Sequence, residues 1–457
     1  MNALLPERKQ AAARPHGRMP FALTPRALVL LSAGLGWIIL AFFAKILIAA
    51  LIAWNLTVIV LAILDGLRLP RAADLVVSRT WLSAPAIGQT ATIEIGVWHS
   101  GSHVLVLHIL DDLPPALTPA PEELRLSAWP RTENAVRYAV GPQERGDHRA
   151  GSIYIRCRSR IGLAERWTVA DLSQTVRVFP RVSRADEDSL FLARSRQIEM
   201  QKRKEQLRGQ GREFESLREY REGGDDLREV CWTASARRGT LICRQYQVER
   251  SQPVWLVLDS GRLLNARSGP YTRLDYTTSA ALAVGQIALL SGDRVGLIGY
   301  GQTVQQRVPL GRGKTHFRSL MDATAVLHTE PGEAAHTFAA ASLAHWQPTR
   351  SLILWFTDLA ETAMRPEVID GAFQLMRRHL LLFVVPAPEE VIGLIEHQPR
   401  NASQMFERTA AQEMLQRREL LLAQLRARGA LTLQVPAAQI ATAVLNRYLE
   451  VKEASLL

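Results

Sequence analysis

At 457 residues the chain can hold two or three domains of about 100–200 residues each. Its formal charge is +11, but the arginines that dominate it are spread along the chain among Glu and Asp, which excludes the clustered basic stripe of a phosphate binder, so no nucleic acid is expected. Cys157, Cys231 and Cys243 are odd in number and lack CxxC spacing, which excludes a disulfide framework or zinc site and implies reduced, half-buried thiols.

Residues 1–26 read as a basic tail. Residues 27–64 contain one ionisable side chain, Lys45. That stretch is too long for one membrane helix of about 20 residues and fits two short ones, 27–43 and 46–64, with Lys45 at the turn where it reaches the headgroups. A buried soluble hairpin is the alternative; a cleaved signal peptide fits worse, because the apolar region is too long. Arg8, Lys9, Arg14, Arg18 and Arg26 precede the stretch and Arg68 and Arg71 follow it. The positive-inside bias therefore predicts an inner-membrane hairpin with both ends, and the soluble domains, in the cytoplasm.

Residues 72–183 show short alternating runs between turn signals. Ile93, Ile95 and Val97 share one face of the run 90–98, and similar runs cover 103–110, 135–140, 152–158 and 175–179, separated by Pro114-Pro115, Gly141-Pro142 and Pro180. This texture predicts a β-sandwich domain without a catalytic cluster. Residues 184–210 are crowded with both signs of charge and predict a linker.

The stretch 211–249 is the most specific part of the chain. Glu213, Phe214, Leu217, Arg218, Tyr220, Gly224, Asp225, Arg228, Trp232, Ser235, Ala236, Arg237, Arg244 and Tyr246 stand at a spacing that resembles the signature of a bacterial membrane-anchored family of unknown function carrying a von Willebrand factor A-like domain. The run 145–151 with 159–163, and the ending Tyr448, Leu449 and Lys452, also fit that family. Departures are the extra Gly223 beside Gly224, and Cys231 where a polar residue is usual. The resemblance implies a partner, a MoxR-type AAA+ ATPase, and a chaperone-like role in assembling an unidentified client. Two readings of the signature stay open. It is either a structural clasp with Trp232 filling a pocket, or a docking surface built on Glu213, Phe214, Arg218, Tyr220, Asp225, Arg228, Trp232 and Arg237, since Tyr, Trp and Arg dominate binding hot spots.

Residues 211–457 combine the signature with an alternation of strands and helices. Strands are predicted at 254–258, 294–298, 304–308, 352–356, 380–385 and 431–435. Helices are predicted at 276–290, 320–327, 338–345, 368–377, 412–428 and 437–449. The pattern implies a doubly wound α/β sheet with helices on both faces, the layout of a von Willebrand A domain.

Ligands of such sheets sit at the carboxyl ends of the strands. The resemblance implies an Asp-x-Ser-x-Ser metal loop there, plus a Thr and an Asp from later loops, with Mg²⁺ as the suited cation. Asp259 and Asp358 end the right strands, and Thr337 is the candidate for the third loop. The serines are missing: Gly261 replaces a ligand, Arg262 adds charge, and Ser260 should point away. Either Arg262 pairs with Asp259 or Asp358 in place of a cation, the favoured reading, or a weakened site keeps Mg²⁺ with added waters.

Residues 311–315 resemble a phosphate loop, but Val308 stands where its first glycine is needed. No histidine pairs with a convincing nucleophile. The sequence therefore predicts a non-catalytic interaction module without a cofactor. The alternative is a metal-dependent hydrolase using Asp259 and Asp358, which lacks an identifiable general base.

Overall fold

The computed structural model describes residues 5–16, 21–35, 46–118, 122–159, 161–181, 213–220, 230–247, 251–359 and 367–454. They fall into two compact units, divided after Arg181.

Twelve strands lie in the first unit: β1 (Lys9–Ala12), β2 (Arg14–Pro15), β3 (Ala22–Leu23), β4 (Leu75–Trp81), β5 (Ala91–His99), β6 (Leu105–Asp111), β7 (Leu124–Ala128), β8 (Asn134–Val140), β9 (Gly146–Ala150), β10 (Ile153–Ser159), β11 (Ala164–Ala170) and β12 (Gln174–Val178). One sheet has the order β1-β4-β5-β8, the other β2-β11-β10-β6-β7 with β3 also on β11, and β9 pairs with β12. Alternate residues of both sheets, among them Val77, Ile93, Ile95, Leu107, Ile109 and Ile155, share one buried core. This is the sandwich that period-two alternation predicts. Three strands come from the stretch read as a basic tail, because Lys9–Ala12 pairs with the edge of β4 and the short strands β2 and β3 pair with β11.

Two helices interrupt these strands: α1 (Pro25–Leu35) and α2 (Ile46–Arg68). Residues 48–68 form the one described helix long and apolar enough to cross a membrane, with mean hydropathy 2.2. The first expected span is described only as far as Leu35, and the expected turn at Lys45 lies outside the described residues. The two helices run antiparallel. Ala27 packs with Ala62. Gly34 lies against Trp54 and Asn55 so closely that an added Cβ would meet the indole at 2.6 Å. Near the end of α2, buried Asp65 accepts hydrogen bonds from the Ser159 hydroxyl at 2.5 Å and from the backbone N–H groups of Leu163 and Ala164 at 2.9 and 3.0 Å. The apolar helix is thereby stitched to the sandwich.

The second unit contains β13 (Glu213–Glu219), α3 (Trp232–Arg238), β14 (Ile242–Gln247), β15 (Pro253–Asp259), the short β16 (Arg267–Ser268) and β17 (Tyr271–Thr272), α4 (Arg273–Leu290), β18 (Arg294–Tyr300), β19 (Val304–Gly311), α5 (Gly313–Val326), α6 (His336–Trp346), β20 (Leu352–Phe356), α7 (Glu367–Met376), β21 (Leu380–Pro386), α8 (Glu389–Glu396), α9 (Ala402–Ala427), β22 (Leu431–Val435) and α10 (Ile440–Glu453). The main sheet has the order β19-β18-β15-β20-β21-β22. All its pairings are parallel except the antiparallel edge of β18 with β19. Strands buried on both faces read as continuous apolar runs, which is why Leu352–Phe356 was legible as a strand to the residue.

Helices cover both faces. Leu256, Leu354 and Val384 pack under α4, α5 and α10. Trp255, Trp355 and Phe383 pack under α6, α7 and α9. The chain order reverses between β15 and β20, so the crevice outside their carboxyl ends is the switch point at which this layout places ligands. Tyr448 and Lys452 of α10 both reach buried Asp293 in the turn before β18, the lysine at 2.6 Å. The chain's ending thus has a structural role in locking the last helix.

Candidate functional site

Asp259, the last residue of β15, and Asp358, just past β20, come together at the switch point, 3% and 1% exposed. Asp259 accepts the Gly261 N–H at 2.7 Å on Oδ1 and the Thr357 hydroxyl at 2.6 Å on Oδ2. Burial pushes its carboxyl up to about 6, against the pull of those two hydrogen bonds and with a further push from Asp358.

Asp358 is held by two arginines. Arg273 Nη1 donates to Oδ2 at 2.5 Å and Arg418 Nη1 to Oδ1 at 2.9 Å. Arg418 also donates to the Pro386 carbonyl. Arg273 is the first residue of α4, whose N-terminus is fixed by a reciprocal cap between Thr272 and Asp275. A cation there opposes the helix dipole, so its place is set by Asp358 and not by helix stability. Arg418 lies on the stripe of α9 that buries Ala411, Leu421, Leu422 and Leu425. It is an arginine at a core position. Desolvation there lowers its proton affinity, and the Asp358 charge opposes that loss.

The favoured reading gave Arg262 the role of standing in for the cation; the guanidinium groups that hold both Asp358 oxygens are instead those of Arg273 and Arg418, which the sequence reading did not name. Arg262 is exposed, and its backbone N–H donates to the Gly332 carbonyl at 2.9 Å. It lines a cavity of about 20 Å³ together with Asp259, Gly261, Glu333, His336 and Asp358. That is room for about one water.

Thr337, the candidate for the third loop, is exposed on α6; its neighbour His336 lines the cavity instead. Below it, Trp355 Nε1–H donates to the Tyr300 hydroxyl at 2.7 Å, and that hydroxyl shares a hydrogen bond with His336 Nδ1 at 2.8 Å. Burial, reinforced by the Asp259 charge, raises the Tyr300 hydroxyl well above its ordinary value, so it stays a donor.

Ser260 points away from the crevice, donating to the Tyr300 carbonyl at 2.8 Å and accepting from Gln305 at 3.0 Å. A Cβ at Gly261 would meet the Ala334 backbone nitrogen at 2.9 Å. A serine could not enter that position without moving the loop. With both Asp358 oxygens on guanidinium groups and both Asp259 oxygens on protein donors, these residues do not fit an octahedral Mg²⁺ site.

The signature divides into two kinds of residue. Its landmarks on β13 and β14 are register partners: Phe214 opposite Tyr246 and Leu217 opposite Arg244, with Arg218 opposite Cys243. Ser235 ties α3 to β14, accepting the Ile242 N–H at 2.9 Å and donating to the Cys231 carbonyl at 3.0 Å. Gly239, at φ 71°, ends the helix in the left-handed region that favours glycine. These are clasp features. Trp232, however, is 66% exposed, with Arg237 exposed on the same helix. Glu213 falls in β13 and Tyr220 follows it, half-buried; Gly223, Gly224, Asp225 and Arg228 lie outside the described residues. All three cysteines are free, and more deeply buried than expected.

Residues 216–391 match the family model described as "Protein of unknown function DUF58". The uncharacterized protein YeaD of Bacillus subtilis (strain 168) is 22% identical over 218 residues, which is 46% of this chain and 50% of that protein. The uncharacterized protein Rv1480 of Mycobacterium tuberculosis is 27% identical over 158 residues, 32% of this chain and 50% of its own length. The chain thus spans about half the length of the curated relatives it matches. These matches support a bacterial family of unknown function. Among solved structures, the conserved hypothetical protein BatB from Bacteroides thetaiotaomicron is 12% identical with a TM-score of 0.29, covering 44% of this chain and all of that one. Proximal thread matrix protein 1 from the mussel byssus is 11% identical with a TM-score of 0.30, covering 44% of this chain and 47% of that one. At those scores neither likeness carries an argument.

Proposed function

We propose that this chain is a membrane-anchored, non-catalytic interaction module whose second unit is von Willebrand A-like, working with a MoxR-type AAA+ ATPase on the assembly of an unidentified client. The observation that carries the non-catalytic part is Asp358 locked between Arg273 and Arg418, where a metal-dependent hydrolase would need a free carboxylate. The von Willebrand A-like reading is supported by the strand order with its single antiparallel edge and by the two carboxylates at the switch point. The anchor reading, an inner-membrane hairpin with cytoplasmic domains, is supported by the apolar helix 48–68, by its antiparallel neighbour and by the basic flanks. The partner's identity comes from the family resemblance alone; exposed Trp232 is the anchor proposed for docking.

The test is co-purification of the ATPase with detergent-solubilised chain at low salt with nucleotide supplied, comparing wild type with Trp232→Ala. The ATPase should be retained by wild type and weakened by the variant at unchanged melting temperature. Absence of the ATPase from the wild-type eluate would remove the partner from this account.

A further inference from the structure

Both apolar helices meet the sandwich at the same end. The chain enters α1 through Thr24, whose backbone N–H donates to the Leu163 carbonyl at 3.0 Å and whose hydroxyl donates to the Gly162 carbonyl at 2.6 Å. It leaves α2 beside Asp65, which accepts from Ser159, Leu163 and Ala164. Both helix ends are thus tied to the one turn between β10 and β11. Arg166 adds a further tie by donating to the Leu69 carbonyl at 3.0 Å and to that of Pro70. The helix pair therefore fixes which end of the sandwich faces the membrane it would cross.

That end consists of the turns after His99, Ala128 and Ser159, since β5, β7 and β10 finish there and their antiparallel neighbours begin there. Pro70 lies against the first turn, 3.7 Å from where a Cβ on Gly101 would stand. The His99 carbonyl accepts the Arg131 N–H at 2.9 Å, which joins the first turn to the second. At the head of the second turn is Trp129, 62% exposed. Asn134 clamps it there, accepting the Trp129 N–H at 3.0 Å and donating to the Trp129 and Thr132 carbonyls at 3.1 and 3.0 Å. Arg131, at φ 57°, is the one non-glycine in the left-handed region among the described residues. Backbone held in that region by its surroundings is a reason to ask what the turn displays. Leu67 and Ile161 are exposed at the same end, with Arg26, Arg68, Arg71 and Arg131. Its carboxylates are engaged: Asp74 accepts the Arg71 N–H at 3.1 Å, Glu133 pairs with Arg8 at 2.5 Å, and Asp65 is buried.

We propose that this end of the sandwich is seated on the anionic surface of the bilayer that holds the helices, with Trp129 at the level of the headgroups. Tryptophan partitions to that level, and arginines beside it are drawn to anionic lipid. A protein partner could also cover Trp129, but the basic residues and both helix ends share its end of the sandwich, and that favours lipid. The inference rests on the anchor reading and adds that the first unit is fixed on the membrane instead of swinging from its tether.

The test places a nitrobenzoxadiazole probe on Trp129→Cys in full-length chain, reconstituted into phosphatidylcholine vesicles with or without phosphatidylglycerol. Gln143→Cys, exposed at the opposite end of the sandwich, is the control. The native cysteines are buried, and wild type carried through the labelling gives the background. Lipids bearing a doxyl group near the headgroup should quench the Trp129 probe and not the Gln143 probe, more strongly with phosphatidylglycerol present. Adding Arg131→Asn keeps a residue suited to the left-handed turn and removes one charge. It should lower the ratio of seated to unseated probe about fivefold in the anionic vesicles and leave it unchanged in phosphatidylcholine alone. Equal quenching at the two positions, or indifference to phosphatidylglycerol, overturns the proposal. So does a Trp129 probe with blue-shifted emission that lipid does not quench, because protein then covers it. Chain that carbonate strips from the vesicles overturns the anchor reading together with the proposal. Chain that stays inserted with an unquenched Trp129 probe overturns the proposal and leaves the anchor standing.

Discussion

Arg418 donates to Asp358 at 2.9 Å from 60 residues further along the chain, joining the middle of α9 to the end of β20 inside the protein. Arg273 takes the other carboxylate oxygen from 85 residues before it. Together they tie three elements to one buried charge.

The first prediction concerns that tie. Asp358→Ala leaves two buried guanidinium groups without their carboxylate and should destabilise the second unit by about 3–5 kcal/mol or more. Arg418→Met leaves Arg273 in place and should cost less. Urea unfolding measures both; equal, sub-kilocalorie effects would mean the ion pairs are incidental.

The second is a pH dependence. The carboxyl of Asp259 is raised from an ordinary 3.8 to about 6 by burial. Between those values the folded chain keeps a proton that the unfolded chain has lost. Its contribution is therefore fully present below about pH 4, is lost as pH rises through about 6, and is flat above, for a total of about 3 kcal/mol. The difference in urea stability between wild type and Asp259→Asn should follow that curve. A difference that grew with rising pH would reverse the sign and the burial argument.

How much of this was legible in the sequence differs by element. The continuous apolar strands were legible because burial on both faces turns a strand into a short unbroken apolar run; their order in the sheet was not read. Asp259 and Asp358 were legible because they end such strands. Arg273 and Arg418 were not, since nothing local links residues 85 and 60 positions from their partner. One signal was present: Arg418 is in helical register with the leucine stripe of α9, where a charge has no solvent to meet. Glu389–Glu396 was missed because eight residues with no buried side chain leave little periodicity to read. The strand Lys9–Ala12 was missed because its exposed, basic edge looks like a tail.

A third prediction tests the seam between the apolar helix and the sandwich. Asp65→Ala removes the acceptor of two backbone N–H groups and one hydroxyl. Each donor left buried and unmatched costs about 1–3 kcal/mol. Hydrogen exchange at Leu163 and Ala164 should therefore accelerate markedly, with amides of the second unit unchanged. Unaltered protection at those two amides would show that the seam is held by something else.

The most direct measurement of the central claim, that arginines and not a cation close the crevice, is a Mg²⁺ titration of the full-length chain followed by thermal melting, with Gly261→Ser alongside. A ligand that binds only the folded state raises the melting temperature in a saturable way. The account predicts no Mg²⁺-dependent rise for wild type. For Gly261→Ser it predicts a lower starting temperature, since the added Cβ meets Ala334 at 2.9 Å, and again no rise. Overpacking of that kind costs about 1–3 kcal/mol. A saturable Mg²⁺-dependent rise in wild type that Asp259→Asn abolishes would contradict the account and revive the hydrolase.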